Sequence, residues 1–175
     1  GFFEIQDAHS QKIAPFTKVQ PGMAVIDLCA GAGGKSLHLA ALMRNKGTIK
    51  AFDVVPNKLK ELRKRGQRAG VKIIQTEPIT RTTDFKQLNE WADVVLIDAP
   101  CSGLGTLKRN PEIKWRLIRE RLDELKALQE QLLTQASSWL KPNGVMVYAT
   151  CSILPSENEQ QITTFLTQHP EFEEA

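Results

Sequence analysis

Asp27-Leu-Cys-Ala-Gly-Ala-Gly-Gly-Lys-Ser36 is the stretch on which the fold turns. An apolar run, Met23–Leu28, leads into it, and a helical pattern, Lys35–Met43, leads out. A strand, a glycine turn and a helix in that order form the ligand-binding corner of an α/β sheet. Two familiar templates fail here. A phosphate-binding loop needs Gly-x-x-x-x-Gly-Lys-Ser/Thr, and Cys29 stands where its first glycine belongs. A dinucleotide fingerprint needs Gly-x-Gly-x-x-Gly, and Ser36 stands where its third belongs.

Gly31, Gly33 and Gly34 let a ligand approach the backbone closely, and amides at the start of the next helix favour an anionic group. Without the first glycine of a phosphate-binding loop, a triphosphate fits poorly. Asp53 lies 20 residues beyond Gly33, a natural place for a carboxylate that accepts both hydroxyls of a ribose. A ribose with a small carboxylate-bearing tail describes S-adenosylmethionine better than a dinucleotide. On spacing alone NAD remains the rival.

Farther out, Thr48–Phe52, Val71–Gln75, Val94–Ile97 and Val145–Ala149 read as strands, several apolar on both faces as in a covered parallel sheet. Asn57–Ala69 and Leu117–Leu140 read as helices, with Pro56 opening the first and Gly70 closing it. Ser156-Glu-Asn-Glu159 has the form of a capping box and predicts a last helix ending near His169-Pro170. The alternation predicts an α/β protein: a doubly wound, mostly parallel, Rossmann-like sheet with right-handed crossovers and helices on both faces. One domain over residues 1–175 is expected, with residues 1–19 packed on as an extension. Such sheets bind ligands beyond the carboxyl ends of their strands, which gathers Asp27, Asp53, Asp98, Cys101 and Cys151 at one edge. A single Asp there is ordinarily a helix cap or turn residue. Acids after consecutive strands point to function.

With 41% hydrophobic and 25% charged residues, the 175-residue chain suits a soluble globular domain with a sizeable core. No apolar run reaches the roughly 18 residues of a membrane span, and no signal peptide is visible, so a cytoplasmic protein without a membrane partner is expected. Three cysteines without secretory features suggest free thiols in a reducing compartment. No Cys/His cluster has metal-ligand spacing, and no metal is expected. The net charge of +3 permits a nucleic-acid partner without demanding one. A monomer is expected.

Three motifs carry a resemblance: Asp27-Leu-Cys-Ala-Gly-Ala-Gly-Gly-Lys35; Asp98-Ala-Pro-Cys-Ser-Gly-Leu-Gly-Thr106 with Arg109-Asn-Pro-Glu-Ile-Lys-Trp115; and Tyr148-Ala-Thr-Cys-Ser-Ile153 with Glu157-Asn-Glu159. Together they resemble the S-adenosylmethionine-dependent RNA cytosine carbon-5 methyltransferases of the Sun/Fmu type, a group that includes the bacterial 16S ribosomal RNA enzyme. Phe3–Gln11 is similar to the segment that precedes the catalytic core in that family. Many members have Ala-Pro-Gly-Gly-Lys where this chain has Gly31-Ala-Gly-Gly-Lys35. Loss of the proline loosens the loop slightly without removing a donor.

The resemblance implies that Cys29, Ala30, Gly31, Ala32, Gly33, Gly34 and Lys35 contact the cofactor, that Asp53 takes its ribose, and that Glu77 sits near its adenine after strand three. It gives Cys151 the nucleophile's role, Cys101 the role in release, and Asp98 the cytosine's polar edge beside the cofactor. For Cys29 alone, a small core hydrophobe is the simpler reading. The target base must be unstacked, which suits single-stranded or looped RNA, ribosomal RNA above all. Lys108, Arg109, Lys114 and Arg116 follow the second motif and are placed to hold phosphates, while Trp115 is either a stacking platform or a core anchor. Lys58, Lys60, Arg63, Lys64, Arg65 and Arg68 read as a solvated helix face. Members of the family carry an N-terminal RNA-binding region and a further strand pair after the last helix, so a sheet lacking that pair is expected. Two other readings stand: a cofactor-binding scaffold inactive without an RNA-binding region, and an NAD-linked oxidoreductase, which Ser36 and two unused thiols disfavour.

Overall fold

The computed structural model describes residues 3–116 and 118–174, with only the backbone of Arg116. Five strands, β1 (Ala24–Leu28), β2 (Thr48–Asp53), β3 (Ile74–Pro78), β4 (Ala92–Asp98) and β5 (Leu140–Ala149), form one sheet in the order β3-β2-β1-β4-β5. Parallel pairing joins β1 to β2, β1 to β4 and β2 to β3. β5 runs the same way: the Ala92 N–H donates to the Trp139 carbonyl and the Ala99 N–H to the Ala149 carbonyl, both at 2.9 Å. The strand order reverses direction at β1 and β4, the doubly wound Rossmann-like arrangement expected from the sequence.

Six helices accompany the strands among the described residues: α1 (Ser10–Phe16), α2 (Gly34–Leu42), α3 (Pro56–Arg68), α4 (Ile113–Arg116), α5 (Arg119–Ser137) and α6 (Glu159–Gln168). Contact density separates two compact units, one running to Asp98 and including 137–147, the other comprising 99–136 and the chain from Tyr148 onward. In the first unit, Ala14 of α1 and Leu39, Ala40 and Met43 around α2 pack on Val25, Ile49, Val94 and Leu96. Leu59 and Leu62 of α3 pack with Leu37 and Ala51. The other face of β1, β2 and β4 presents Ile26, Phe52, Val95 and Ile97, also buried, and Phe52 meets Phe85 and Trp139 in an aromatic cluster. In the second unit α5 buries Leu125, Leu132, Leu133 and Ala136, and α6 buries Phe165, which stacks on His169.

Most boundaries differ from those expected by a residue or two, and four differ more. Strand three begins at Ile74 rather than Val71, because the Val71 N–H still closes the end of α3 on the Gly66 carbonyl. Glu77 therefore lies on the strand, exposed and opposite Phe52, not in a loop after it. The long helix ends at Ser137, three residues early, since Trp139 already bonds to Ala92 and Leu140 opens β5. Its expected first residue, Leu117, lies outside the described ones. β5 starts five residues before Val145 and includes Asn143 at φ 64°, on the sheet's edge. The capping box does not form: Ser156 lies in a 3₁₀ turn over Pro155–Glu157, and α6 starts behind Asn158 without a side-chain cap. The capping signal was a local one, and Glu157 is drawn instead to a distant loop and Asn158 to the segment just before it. Residues 10–16, expected only as part of an extension, form α1 and supply Ala14 to the core.

Candidate cofactor loop and thiol pair

β1 delivers Asp27, β2 delivers Asp53 and β4 delivers Asp98, each at or near its strand's carboxyl end. Asp53 braces the glycine loop. Its Oδ2 accepts the Gly31 N–H at 2.8 Å and its Oδ1 accepts the Val55 N–H at 2.8 Å, while the Ala30 N–H reaches the Phe52 carbonyl. Each carboxylate oxygen keeps a further lone pair for a ligand. Gly33 caps α2 at φ 87°, and a Cβ there would run into Leu62. At Gly31, by contrast, a Cβ would meet open space, as a loop that cradles a ligand requires. Cys29 sits at φ 68°, and burial, then Asp27 and Asp53, push its thiol up to about 12, so it stays protonated. The structure thus brings Cys29, Ala30, Gly31, Ala32, Gly33, Gly34, Lys35, Asp53 and Asp98 into one unit, with Lys35 Nζ 2.6 Å from Asp98 Oδ2. Glu77 is the outlier, exposed on edge strand β3.

Arg65, read from the sequence as part of a solvated face, and Asp27, placed at the sheet edge, both shape this loop. Arg65 is not part of a solvated face: its side chain is 16% exposed, its Nη1 donates to the Ala32 carbonyl at 2.6 Å, and its Nη2 reaches Glu4 at 2.9 Å. Asp27 is wholly buried. Its Oδ2 accepts the Ser36 hydroxyl, and its Oδ1 has no hydrogen-bond partner among the described residues.

In the second unit Cys101 and Cys151 meet, Sγ to Sγ 3.3 Å, and the Cys151 N–H donates to Cys101 Sγ at 3.3 Å. Gly105 is needed here because its N–H donates to the Cys151 carbonyl at 2.9 Å and a Cβ would collide with that oxygen. The hydrogen bond to Cys151, then burial, push the Cys101 thiol far above its ordinary range. Lys108, Arg109, Lys114 and Trp115 all lie exposed on the segment that follows. Trp115 is 79% exposed with Lys114 Nζ 4.8 Å above its ring, so it is no core anchor. The side chain of Arg116 lies outside those described. Among the described residues no helix is long and apolar enough to cross a membrane.

Strand order, the glycine turn after β1 and the acid ending β2 define a Rossmann-like methyltransferase domain. Its fold is shared by a precorrin-6y C5,15-methyltransferase from Geobacter metallireducens, with a TM-score of 0.67 at 16% identity over 95% of this chain and 73% of that one. The chain belongs to the family described as 16S rRNA methyltransferase RsmB/F, whose profile matches residues 15–175. It is 38% identical over 98% of its length to the ribosomal RNA small subunit methyltransferase B of Yersinia pseudotuberculosis, covering 40% of that protein. Among solved structures it resembles PH0851, with a TM-score of 0.93 and 42% identity over 97% of this chain and 39% of that one. It also resembles NSun6 from Pyrococcus horikoshii solved with SFG, with a TM-score of 0.84 and 29% identity over 96% of this chain and 43% of that one. The chain spans about two fifths of the length of the curated relatives it matches.

Asp27 generates a pH prediction. Burial lifts its pKa from 3.8 to about 7, with Ser36 and Lys35 opposing and Asp98 and Asp53 adding to the rise. Between about pH 4 and 7 the unfolded chain has released this proton and the folded one still holds it, so stability from this group falls as pH rises through that window. The slope is about 1.4 kcal/mol per pH unit at most. Denaturant unfolding of the protein and of Asp27→Asn across this range checks it. The difference between them should shrink the wild type's advantage steadily toward pH 7, and parallel curves would contradict the assignment.

Proposed function

We propose that this chain is the catalytic part of an S-adenosylmethionine-dependent methyltransferase that modifies carbon 5 of a cytosine in ribosomal RNA, in the cytoplasm, through a covalent cysteine–cytosine adduct. The thiol pair is the observation that carries this reading: two cysteines from different motifs with sulfurs 3.3 Å apart.

S-adenosylmethionine supplies an electrophilic methyl group on a sulfonium. The glycine loop suits its carboxylate-bearing tail, Asp53 its ribose hydroxyls, and the open space at Gly31 leaves steric room. Asp98, bonded to Lys35 through one oxygen, keeps the other for the polar edge of the cytosine. Carbon 5 of cytosine is a poor nucleophile. Addition of the Cys151 thiolate to carbon 6 makes the ring enamine-like, and carbon 5 then takes the methyl group. Loss of the carbon-5 proton restores the ring double bond and expels the Cys151 thiolate.

The pair's electrostatics suit this division of labour. Cys101 keeps its proton because Cys151 is beside it, which leaves Cys151 as the attacking sulfur. Once Cys151 is bonded to carbon, the hydrogen bond and charge that hold the Cys101 proton are gone. Cys101 is then free for proton transfer at carbon 5. Lys108, Arg109 and Lys114 offer cations to phosphates, and exposed Trp115 offers a stacking face. The Arg116 role rests on sequence alone. Glu77 is the weakest cofactor contact, since only its strand's edge position favours it.

S-adenosylmethionine, or its demethylated product, should raise the melting temperature of the chain while NAD and ATP do not. Asp53→Ala should bind it about tenfold more weakly or worse, from loss of charge-assisted hydrogen bonds and of the brace on Gly31. Equal stabilisation by NAD would sink the cofactor assignment.

Denaturing electrophoresis with the full-length protein and a competent RNA separates the thiols. Cys101→Ala should accumulate a slow-migrating RNA–protein band, because attack and methylation proceed but release does not. Cys151→Ala and the double variant should show none. A band from Cys151→Ala alone would reverse the two roles.

A further inference from the structure

The described chain holds one fully buried carboxylate that no step above uses. Glu157 is 0% exposed. Its Oε1 accepts the Ser102 N–H at 2.8 Å and Gln129 Nε2 at 3.1 Å, and its Oε2 accepts the Ser102 hydroxyl. Gln129 Nε2 also donates to the Pro100 carbonyl at 2.8 Å. The peptide groups on both sides of Cys101 are therefore tied down, Ser102 by Glu157 directly and Pro100 through Gln129. Burial raises the Glu157 pKa, yet these hydrogen bonds outweigh it and hold the carboxyl below its usual range.

Asn158 does the same for the other thiol. Its Oδ1 accepts the Thr150 hydroxyl at 2.6 Å, and its Nδ2 donates to the Ser152 carbonyl at 3.2 Å and the Leu154 carbonyl at 2.9 Å. Thr150 Oγ1 accepts the Ser152 N–H at 3.0 Å, so both neighbours of Cys151 are held. Ser102 Oγ and Ser152 Oγ, each one residue past its cysteine, lie 3.0 Å apart and join the two halves. Two consecutive residues thus grip two loops that are 50 residues apart in the chain. That geometry also explains why no capping box forms and why α6 begins without a side-chain cap.

We propose that Glu157 and Asn158 are positioning residues, one clamp that fixes the spacing of the Cys101 and Cys151 sulfurs. Their importance for turnover rests on the two-thiol reading above, whereas the spacing itself does not. Sulfurs that exchange protons or act on one base must be placed within fractions of an ångström, and a displacement of about 1 Å costs on the order of a hundredfold in rate.

Diamide cross-linking reads the spacing without RNA: the azo compound takes two electrons and two protons from the thiols as the S–S bond forms. The rate of the Cys101–Cys151 cross-link is followed by peptide mass spectrometry, with S-adenosylmethionine binding and circular dichroism confirming that each variant is folded. Asn158→Ala and Glu157→Ala should each slow the cross-link at least about tenfold. Asn158→Asp, which keeps the acceptor for Thr150 but loses the donor to Ser152, should be as slow as Asn158→Ala. Glu157→Gln spans the same distance and keeps an acceptor for the Ser102 N–H, so it should restore most of the rate. If Glu157→Ala does not fold, the Asn158 pair and Glu157→Gln decide the matter. Cross-linking at the wild-type rate in folded Asn158→Ala, or a Glu157→Gln variant that stays slow, overturns the clamp. Clamp-dependent cross-linking in a protein that methylates no cytosine would leave the clamp standing and sink only the methyltransferase reading.

Discussion

Strand β1 has water on neither edge and neither face. β2 and β4 flank it, and Val25, Ile26, Asp27 and Leu28 are each at most 1% exposed. Every other feature of the cofactor loop follows from that confinement. A strand so enclosed can end only by turning sharply out of the sheet, which is why Cys29 and Gly31 take up positive φ and why glycine caps the next helix. The loop that results has few internal bonds of its own. Asp53 from β2 and Arg65 from α3 hold it from outside, at the Gly31 N–H and the Ala32 carbonyl.

Two buried carboxylates show how differently such a fold treats charge. Glu157 is surrounded by donors and stays ionised without exposure to water. Asp27 has one hydroxyl for one oxygen and nothing for the other, and its pKa climbs toward neutrality. A fully satisfied carboxylate fixes geometry, because moving any donor exposes a buried charge. An unsatisfied one is left with an unmet demand. The first lies beside the two thiols and the second beneath the glycine loop.

Much of this was legible in the sequence for local reasons. A glycine turn between an apolar run and a helical pattern, an acid 20 residues later, and two cysteines at the ends of predicted strands are short-range signals. The doubly wound order follows from alternation of elements and the handedness of crossovers. What escaped depends on contacts across long stretches of chain. Arg65 borders the buried Leu59–Leu62–Gly66 stripe of α3, and only Ala32 and Glu4 reveal that it points at the loop and not at water. Glu157 and Asn158 sit between the Ser156 and Glu159 of the capping pattern, and their side chains are claimed by residues 28 and 55 positions away and by the thiol loop nearby. Strand three slid by three residues because the end of α3 claimed Val71, and the slide carried Glu77 onto the sheet edge.

Where the methyl group goes is decisive. Full-length protein incubated with unmodified ribosomal RNA and methyl-labelled S-adenosylmethionine, followed by nucleoside digestion and mass spectrometry, locates it directly. Labelled 5-methylcytidine is the predicted product. Label on another base, on the exocyclic nitrogen of cytosine or on a ribose oxygen would contradict it, because none of those positions needs a thiol that adds to carbon 6.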